Sequence, residues 1–183
     1  MANVDAPFGF VPVRSMSGNA MRTNKYTITS TLAENIFRGD LCILTADGVL
    51  TPHTATEVNN IGVFAGCSYT ASDGSYVYSD YWPTGTTATN IIAYVYDDPY
   101  IVYKVQSDGS PAQTDIGACA DVVAGTGSTT TGQSAFELNS SMAAGTATAK
   151  IIALWDAPEN SFGANAVVEV LINEHILKNA AGI

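Results

Sequence analysis

Apolar and polar residues alternate with a period of two along much of this chain, the pattern of strands that bury one face. From Lys25 onward Tyr26 and Ile28 alternate with Thr27 and Thr29. Ile91 to Tyr96 and Tyr100 to Val105 flank Asp97-Asp98-Pro99, a corner at which proline stops a strand. Leu41-Cys42-Ile43-Leu44 is apolar without interruption, which predicts a strand covered on both faces. Ile61 to Tyr69 carries Gly62 and Gly66 inside an apolar run and predicts a bent or bulged strand. Tyr76 to Trp82 predicts a strand with Tyr76, Tyr78 and Asp80 on one face and Val77, Ser79 and Tyr81 on the other, leaving one aromatic face half-exposed. Ala149 to Trp155 and Ala166 to Asn173 close the chain around a Pro158, Asn160 and Gly163 connection.

Punctuation supports the same class. Asp47-Gly48, Asp73-Gly74 and Asp108-Gly109 separate short stretches rich in Val, Ile, Tyr and Thr, and Asp-Gly supplies the positive φ that tight hairpins need. Helix candidates are limited to a turn near Leu32 to Phe37 and a piece from Glu174 to Ala181, both below the ~12 residues at which a helix supports itself. The predicted fold is all-β, a compact β-barrel or β-sandwich-like domain over residues 25–183. Residues 1–24 place Pro7, Gly9, Pro12 and Gly18 among Phe8, Phe10, Val11 and Val13, too broken for a central strand and too apolar for a free tail. They are read as an extended N-terminal arm that packs on something.

Composition changes the picture in two ways. Charged residues make up only 13% of the 183-residue chain, so Ser, Thr, Asn and Gly must cover its surface, and such a neutral exterior dries cheaply against a partner. The net charge of −10 argues against nucleic acid, whose binding rests on cations that displace counterions. That charge is uneven. Residues 1–38 carry Arg14, Arg22, Lys25 and Arg38 against Asp5 and Glu34, whereas residues 39–183 hold 3 cations and 15 anions. Either the four cations reach toward an acidic partner or they are scattered over a loop to no purpose. The start has no basic region followed by an apolar core, and no apolar run approaches the ~18 residues of a membrane helix, so neither secretion nor a membrane is expected. The expectation is a protein made in the cytoplasm.

Candidate chemistry is sparse. Cys42, Cys67 and Cys119 are odd in number and far apart, which predicts small buried residues rather than disulfides or zinc ligands. His53 and His175 belong to no metal motif. Gly125 to Gly132 resembles an anion-cradling loop but lacks a P-loop lysine, and Ser128 lacks the elbow glycines of a hydrolase. Asp97-Asp98 could hold a cation or act as acid and base, but adjacent side chains in extended backbone point apart. No cofactor, no metal and no catalytic residue is expected, and the protein is read as not an enzyme.

Several segments together resemble a known group. Ala2-Asn3-Val4-Asp5-Ala6-Pro7-Phe8-Gly9-Phe10-Val11-Pro12-Val13-Arg14 is similar to the start of head decoration, or cement, proteins of tailed bacteriophages. Asp97-Asp98-Pro99 with Val102 to Gln106, Gly125 to Gly132 leading to Glu137 to Ser141, and Gly163 to Ala166 followed by Val170 to Asn173 fit the same group. The resemblance implies a structural virion protein on the outer surface of an icosahedral capsid. It would act as a homotrimer that clamps neighbouring major capsid protein subunits. From the charge asymmetry and the proline spacing, Phe8 and Phe10 are the candidate apolar anchors of the arm, with Arg14 and Arg22 pairing with capsid carboxylates. The alternative is a carbohydrate- or receptor-binding virion module that uses the aromatic face from Tyr76 to Trp82, where core packing competes as an explanation.

Overall fold

In the computed structural model, which describes residues 3–54 and 57–178, the alternating segments become antiparallel strands. In chain order these are β1 (Val11–Ser15), β2 (Asn24–Tyr26), β3 (Ile36–Phe37), β4 (Leu41–Leu44), β5 (Leu50–Pro52), β6 (Asn60–Ala71), β7 (Tyr76–Ser79) and β8 (Tyr81–Trp82). There follow β9 (Ala88–Tyr96), β10 (Ile101–Gln106), β11 (Cys119–Val123), β12 (Glu137–Ala143), β13 (Ala149–Leu154) and β14 (Val167–Ile172). Sheet A has six strands in the order β1-β10-β14-β13-β11-β12. Sheet B runs β2-β9-β6-β4-β5 with β7 also on β6, and β3 pairs with β8 in a separate ribbon. The sheets pack on one another and do not close into a barrel. Neither helix candidate forms over the described residues: Ile36 and Phe37 are strand and Glu174 to Lys178 turn, while residues 179–181 lie outside the described range. A single 3-10 turn occurs instead at Gln113–Asp115.

Alternation sorts the side chains into two cores. Ile101, Tyr103 and Val105 of β10, Val168, Val170 and Ile172 of β14, and Ile151 of β13 meet Leu41 and Val63 of sheet B in the first core. The second lies on the opposite face of sheet B and holds Cys42, Ile61, Phe64, Cys67, Val95 and Trp82. Leu41 and Cys42 point into different cores, so β4 is covered on both faces as its unbroken apolar run predicts. The glycines of β6 bend it between the two. Its register shifts between Phe64 and Gly66, and Gly62, at φ 147°, lies so close to β9 that a Cβ would fall 2.0 Å from the Tyr96 carbonyl oxygen. The Asp97-Asp98-Pro99 corner carries the chain from sheet B, at β9, to sheet A, at β10.

Two Asp-Gly pairs turn hairpins. At β4–β5 the Gly48 amide donates to the Thr45 carbonyl at 2.9 Å, and at β6–β7 the Gly74 amide donates to the Ala71 carbonyl at 2.9 Å. In both, only the glycine has positive φ, which makes a type I turn followed by a left-handed glycine rather than a two-residue loop. Asp108-Gly109 closes no hairpin. Asp108 accepts the Ser140 amide at 2.7 Å, and the Gly109 carbonyl accepts the Asn165 amide at 2.7 Å, stitching a crossing between distant segments.

Two expectations are corrected. Tyr76 to Trp82 is not one strand: Ser79 Oγ donates to the Tyr81 carbonyl at 2.6 Å and accepts its amide at 3.2 Å, and this local turn resets the alternation. Trp82 therefore leaves the face of Tyr76 and Tyr78 and is fully buried, edge-on to Tyr69 at 5.2 Å. Nor is the N-terminal segment an arm extended away from the body. β1 pairs antiparallel with β10, and Phe10 lies in the first core, edge-on to Tyr103 at 6.2 Å. The physical reason is that without β1 the edge of β10 would be left unpaired. Gln106 accepts the Ala6 amide at 2.8 Å and donates to the Val4 carbonyl at 2.8 Å, and Lys104 meets the Phe8 ring, so residues 4–8 lie over the outer face of β10.

Candidate functional site

The four residues picked out in the N-terminal segment separate in the structure. Gly9, at φ 74°, turns the chain so that Phe8 stays at the surface while Phe10 enters the core. A Cβ on Gly9 would lie 2.5 Å from Ser134, so the seat is closed to larger residues. Phe8 is half-buried, and the Lys104 ammonium lies 5.8 Å from its ring centroid and 4.8 Å from that of Trp155. Phe10 is 1% exposed and cannot anchor a neighbouring subunit while the domain is folded. Arg14 reaches across β10 to pair with Glu169 of β14 on the same outer face. Arg22 is exposed on the loop between β1 and β2 and shares a groove of about 250 Å³ with Asn19, Asn24, Asp97, Asp98 and Leu177.

That loop is the part of the segment the body does not consume. Met16 is 58% exposed and Met21 37%, with Arg22 and Lys25 exposed beside them. Among the described residues neither Arg22 nor Lys25 forms an ion pair, whereas Arg14 and Arg38 pair with Glu169 and Asp80. The result is a short strip of apolar and basic side chains on a molecule of net charge −10.

The other candidates serve structure. Asp97 and Asp98 take different hydrogen-bond partners. Asp97 accepts Asn24 Nδ2 at 2.9 Å and the Tyr26 hydroxyl at 2.7 Å, while Asp98 accepts the Tyr100 amide at 2.9 Å. Burial, then the Asp97 carboxylate, hold the Tyr26 hydroxyl protonated far above its ordinary range. The glycines of the Gly125 to Gly132 loop permit close packing: a Cβ on Gly127 would lie 2.4 Å from the Phe37 ring, and one on Gly125 2.0 Å from the Ala135 carbonyl oxygen. Cys42 and Cys67 are buried, and burial pushes the Cys67 thiol to about 12, which suppresses the reactive thiolate. Among the described residues no three His, Cys, Asp or Glu side chains come together as a metal site. No helix among them is long and apolar enough to cross a membrane.

Three buried polar groups were not singled out by the sequence as organisers of loops. Asp40 is 1% exposed, and one of its oxygens accepts the Phe37 amide at 2.7 Å. Its other oxygen is buried without a well-formed hydrogen bond. Burial pushes the carboxyl up to about 6 against the opposing effects of the Ser134 hydroxyl and the Phe37 amide. Asn60 joins two distant loops: its Oδ1 meets His53 Nδ1 at 2.8 Å and its Nδ2 donates to the carbonyls of Glu57 and Glu174. His175 is fully buried, and burial lowers its ring to about 4, with Lys178 adding to the shift and Asp97 and Asp98 opposing it. Only their positions beside apolar runs distinguish these residues in sequence, and that signal is too common to single them out.

A groove of about 370 Å³ lies between β1 and β6. Phe8, Phe10, Val11, Val63 and Tyr96 line it, with Arg38 and Gln133 as its polar members. This lining is suited to apolar packing rather than to acid-base work. On the far half of sheet B, Tyr76 is 69% exposed and Tyr78 65%, without Trp82 beside them. In comparisons with protein-family models, curated proteins and solved structures, no match to this chain was found.

Proposed function

We propose that this chain is a structural virion protein that binds the outer surface of an icosahedral phage capsid, as a homotrimer, and stabilises it by bridging neighbouring major capsid protein subunits. The observation that carries the reading is the exposed stretch Met16 to Lys25, which holds exposed Met16 and Met21 and the cations Arg22 and Lys25, neither of them in an ion pair among the described residues, on an otherwise acidic body. An apolar and basic strip of this kind fits an acidic, partly apolar protein surface. The resemblance of residues 2–14 to the start of phage decoration proteins supplies the kind of partner. In this reading Phe8, Phe10 and Arg14 act indirectly: they fasten the segment to sheet A, and the following loop makes the contact. Binding only the assembled shell stabilises it by RT ln(1 + [L]/Kd) per site, so many modest contacts add up around a particle.

The test is occupancy on capsids that lack the protein. Arg22→Glu combined with Lys25→Glu leaves the fold intact, because both side chains are exposed, and is expected to lower occupancy most at low salt. Met21→Asp is expected to lower it at all salt concentrations. Undiminished occupancy in both variants would overturn the proposal.

A further inference from the structure

Sheet B has one face that is treated differently along its length. Where Leu41, Val63 and Tyr96 lie opposite one another across β4, β6 and β9, sheet A covers the face and the three belong to the first core. Farther along the same face Gly66 opposes Tyr94, Ser68 opposes both Tyr78 and Ile92, and Thr70 opposes Tyr76. Among the described residues nothing covers Tyr76 and Tyr78 on this second half, and they are the most exposed aromatic residues there. Both come from β7, which pairs with β6 alone.

The rings are laid out as a platform. Ser68, directly beneath Tyr78, is 0% exposed. The Tyr78 hydroxyl reaches along the strand to 3.6 Å from the point where a side chain on Gly66 would begin. The ring therefore lies along the sheet over Ser68, with Gly66 providing the room, and Tyr94 packs against it at 6.0 Å and 39°. Tyr76, two residues away on the same strand face, extends the surface by about 7 Å. Hydrogen-bonding groups border it in Thr70, Thr89 and Asn90.

Area and charge narrow the occupant. Two tyrosines offer roughly 300–500 Å² of contact, well below the ~800 Å² per partner of a stable protein interface. The strand residues opposed to one another on this face include no carboxylate, and the cation among them, Lys25, stands at the margin opposite Tyr94, with β9 and β6 between it and β7. Asp73 and Asp80 stand beyond the two ends of β7, where Asp73 is bonded to Ser75 and Asp80 to Arg38. We propose that Tyr76, Tyr78 and Tyr94 form a stacking site for a neutral oligosaccharide, whose C–H faces lie on the rings while its hydroxyls meet the bordering Thr and Asn side chains. This site borders the Met16 to Lys25 strip, because Lys25 opposes Tyr94 across β2 and β9, but its test uses the free chain and tyrosine variants that leave Arg22 and Lys25 in place, so either proposal can fail without the other.

The experiment is binding of the full chain to a printed array of neutral and acidic oligosaccharides, with Tyr76→Ala, Tyr78→Ala and, as an exposed control in neither proposed site, Val58→Ala. The expected result is retention of neutral glycans, weakened about tenfold by removing either tyrosine and unchanged by Val58→Ala. Absence of retention on every neutral glycan would overturn the proposal, as would retention indifferent to Tyr78→Ala or restricted to acidic glycans. Light scattering on the same samples provides a further check. A dimer that Tyr78→Ala converts to a monomer would assign the face to a second copy instead.

Discussion

The outer face of sheet A and the bare half of sheet B are built by the same alternation, yet one is dressed by the chain itself and the other is not. Over sheet A, Gln106, Lys104 and Glu169 hold Val4, Ala6, Phe8 and Arg14, and the segment ends its run by inserting Phe10 into the core. Over β7, Tyr76 and Tyr78 receive no such cover. An apolar side chain on a strand face thus means different things in the two places: a fastening in one, an available surface in the other. Phe10→Ala probes the fastening most directly. It removes a 1%-exposed ring from a packed core and should cost about 3–5 kcal/mol in urea unfolding. A loss below ~1 kcal/mol would mean that the segment is not held as described and that an arm free to leave the body is again possible.

Asp40 sharpens the same contrast from beneath the seat of the segment, since the neighbouring Gly39 carbonyl accepts the Phe10 amide at 2.8 Å. Its carboxyl is raised from 3.8 to about 6 in the folded protein, so the folded state binds the proton more tightly than the unfolded one. Stability from this group is fully present below ~4 and is lost as pH rises through about 6. Asp40→Asn keeps an oxygen for the Phe37 amide without the buried charge. It should make the protein more stable than the wild type at pH 7 by roughly 3 kcal/mol, with the advantage vanishing toward pH 4. His175 tilts the wild-type curve the other way: its ring is lowered to about 4, so its contribution is present above ~6.5 and lost as pH falls toward 4. The diagnostic is therefore the difference between Asp40→Asn and wild type at each pH. A difference that does not change between pH 4 and 7 would show that the Asp40 carboxyl is not held neutral by burial.

What the sequence discloses follows from how local each cause is. Alternation marks β10, β13 and β14 of sheet A and most of sheet B, but not β1, β11 or β12, and the proline after Asp97-Asp98 marks the corner between the sheets, because these depend on a few adjacent residues. The mixed glycine and apolar run of β6 likewise announces its bulges. The destination of residues 3–15 is not legible, because packing on β10 and packing on another molecule demand the same Phe, Val and Pro pattern. The inward turn of Trp82 depends on one hydroxyl, that of Ser79, capturing the Tyr81 backbone, and a serine in a strand carries no such label. Of the candidate contact residues, Arg22 alone is both exposed and without an ion pair among the described residues. Met16 and Met21 go unnoticed beforehand because isolated methionines in a loop have no period.

Arg14→Ala is expected to have a smaller effect. Arg14 is half-exposed and its pairing with Glu169 is screened by solvent, so the loss should be about 0.2–1 kcal/mol, declining with added salt. A loss as large as that of Phe10→Ala would place the fastening of the segment in charge rather than in the buried ring.

The smallest effect is expected at the bare face, and it is the result that separates the two faces most cleanly. Tyr76→Ser and Tyr78→Ser each remove a ring that is mostly in water, 69% and 65% exposed, so stability should stay within about 0.5 kcal/mol of wild type. Tyr78→Ser uncovers Ser68, but the Ser68 hydroxyl already has the Tyr94 hydroxyl at 3.3 Å and would gain water without losing a partner. If either variant instead unfolded as readily as Phe10→Ala, the tyrosines would be part of the core's support. The contrast between a face dressed by its own chain and a face left for a ligand would then collapse.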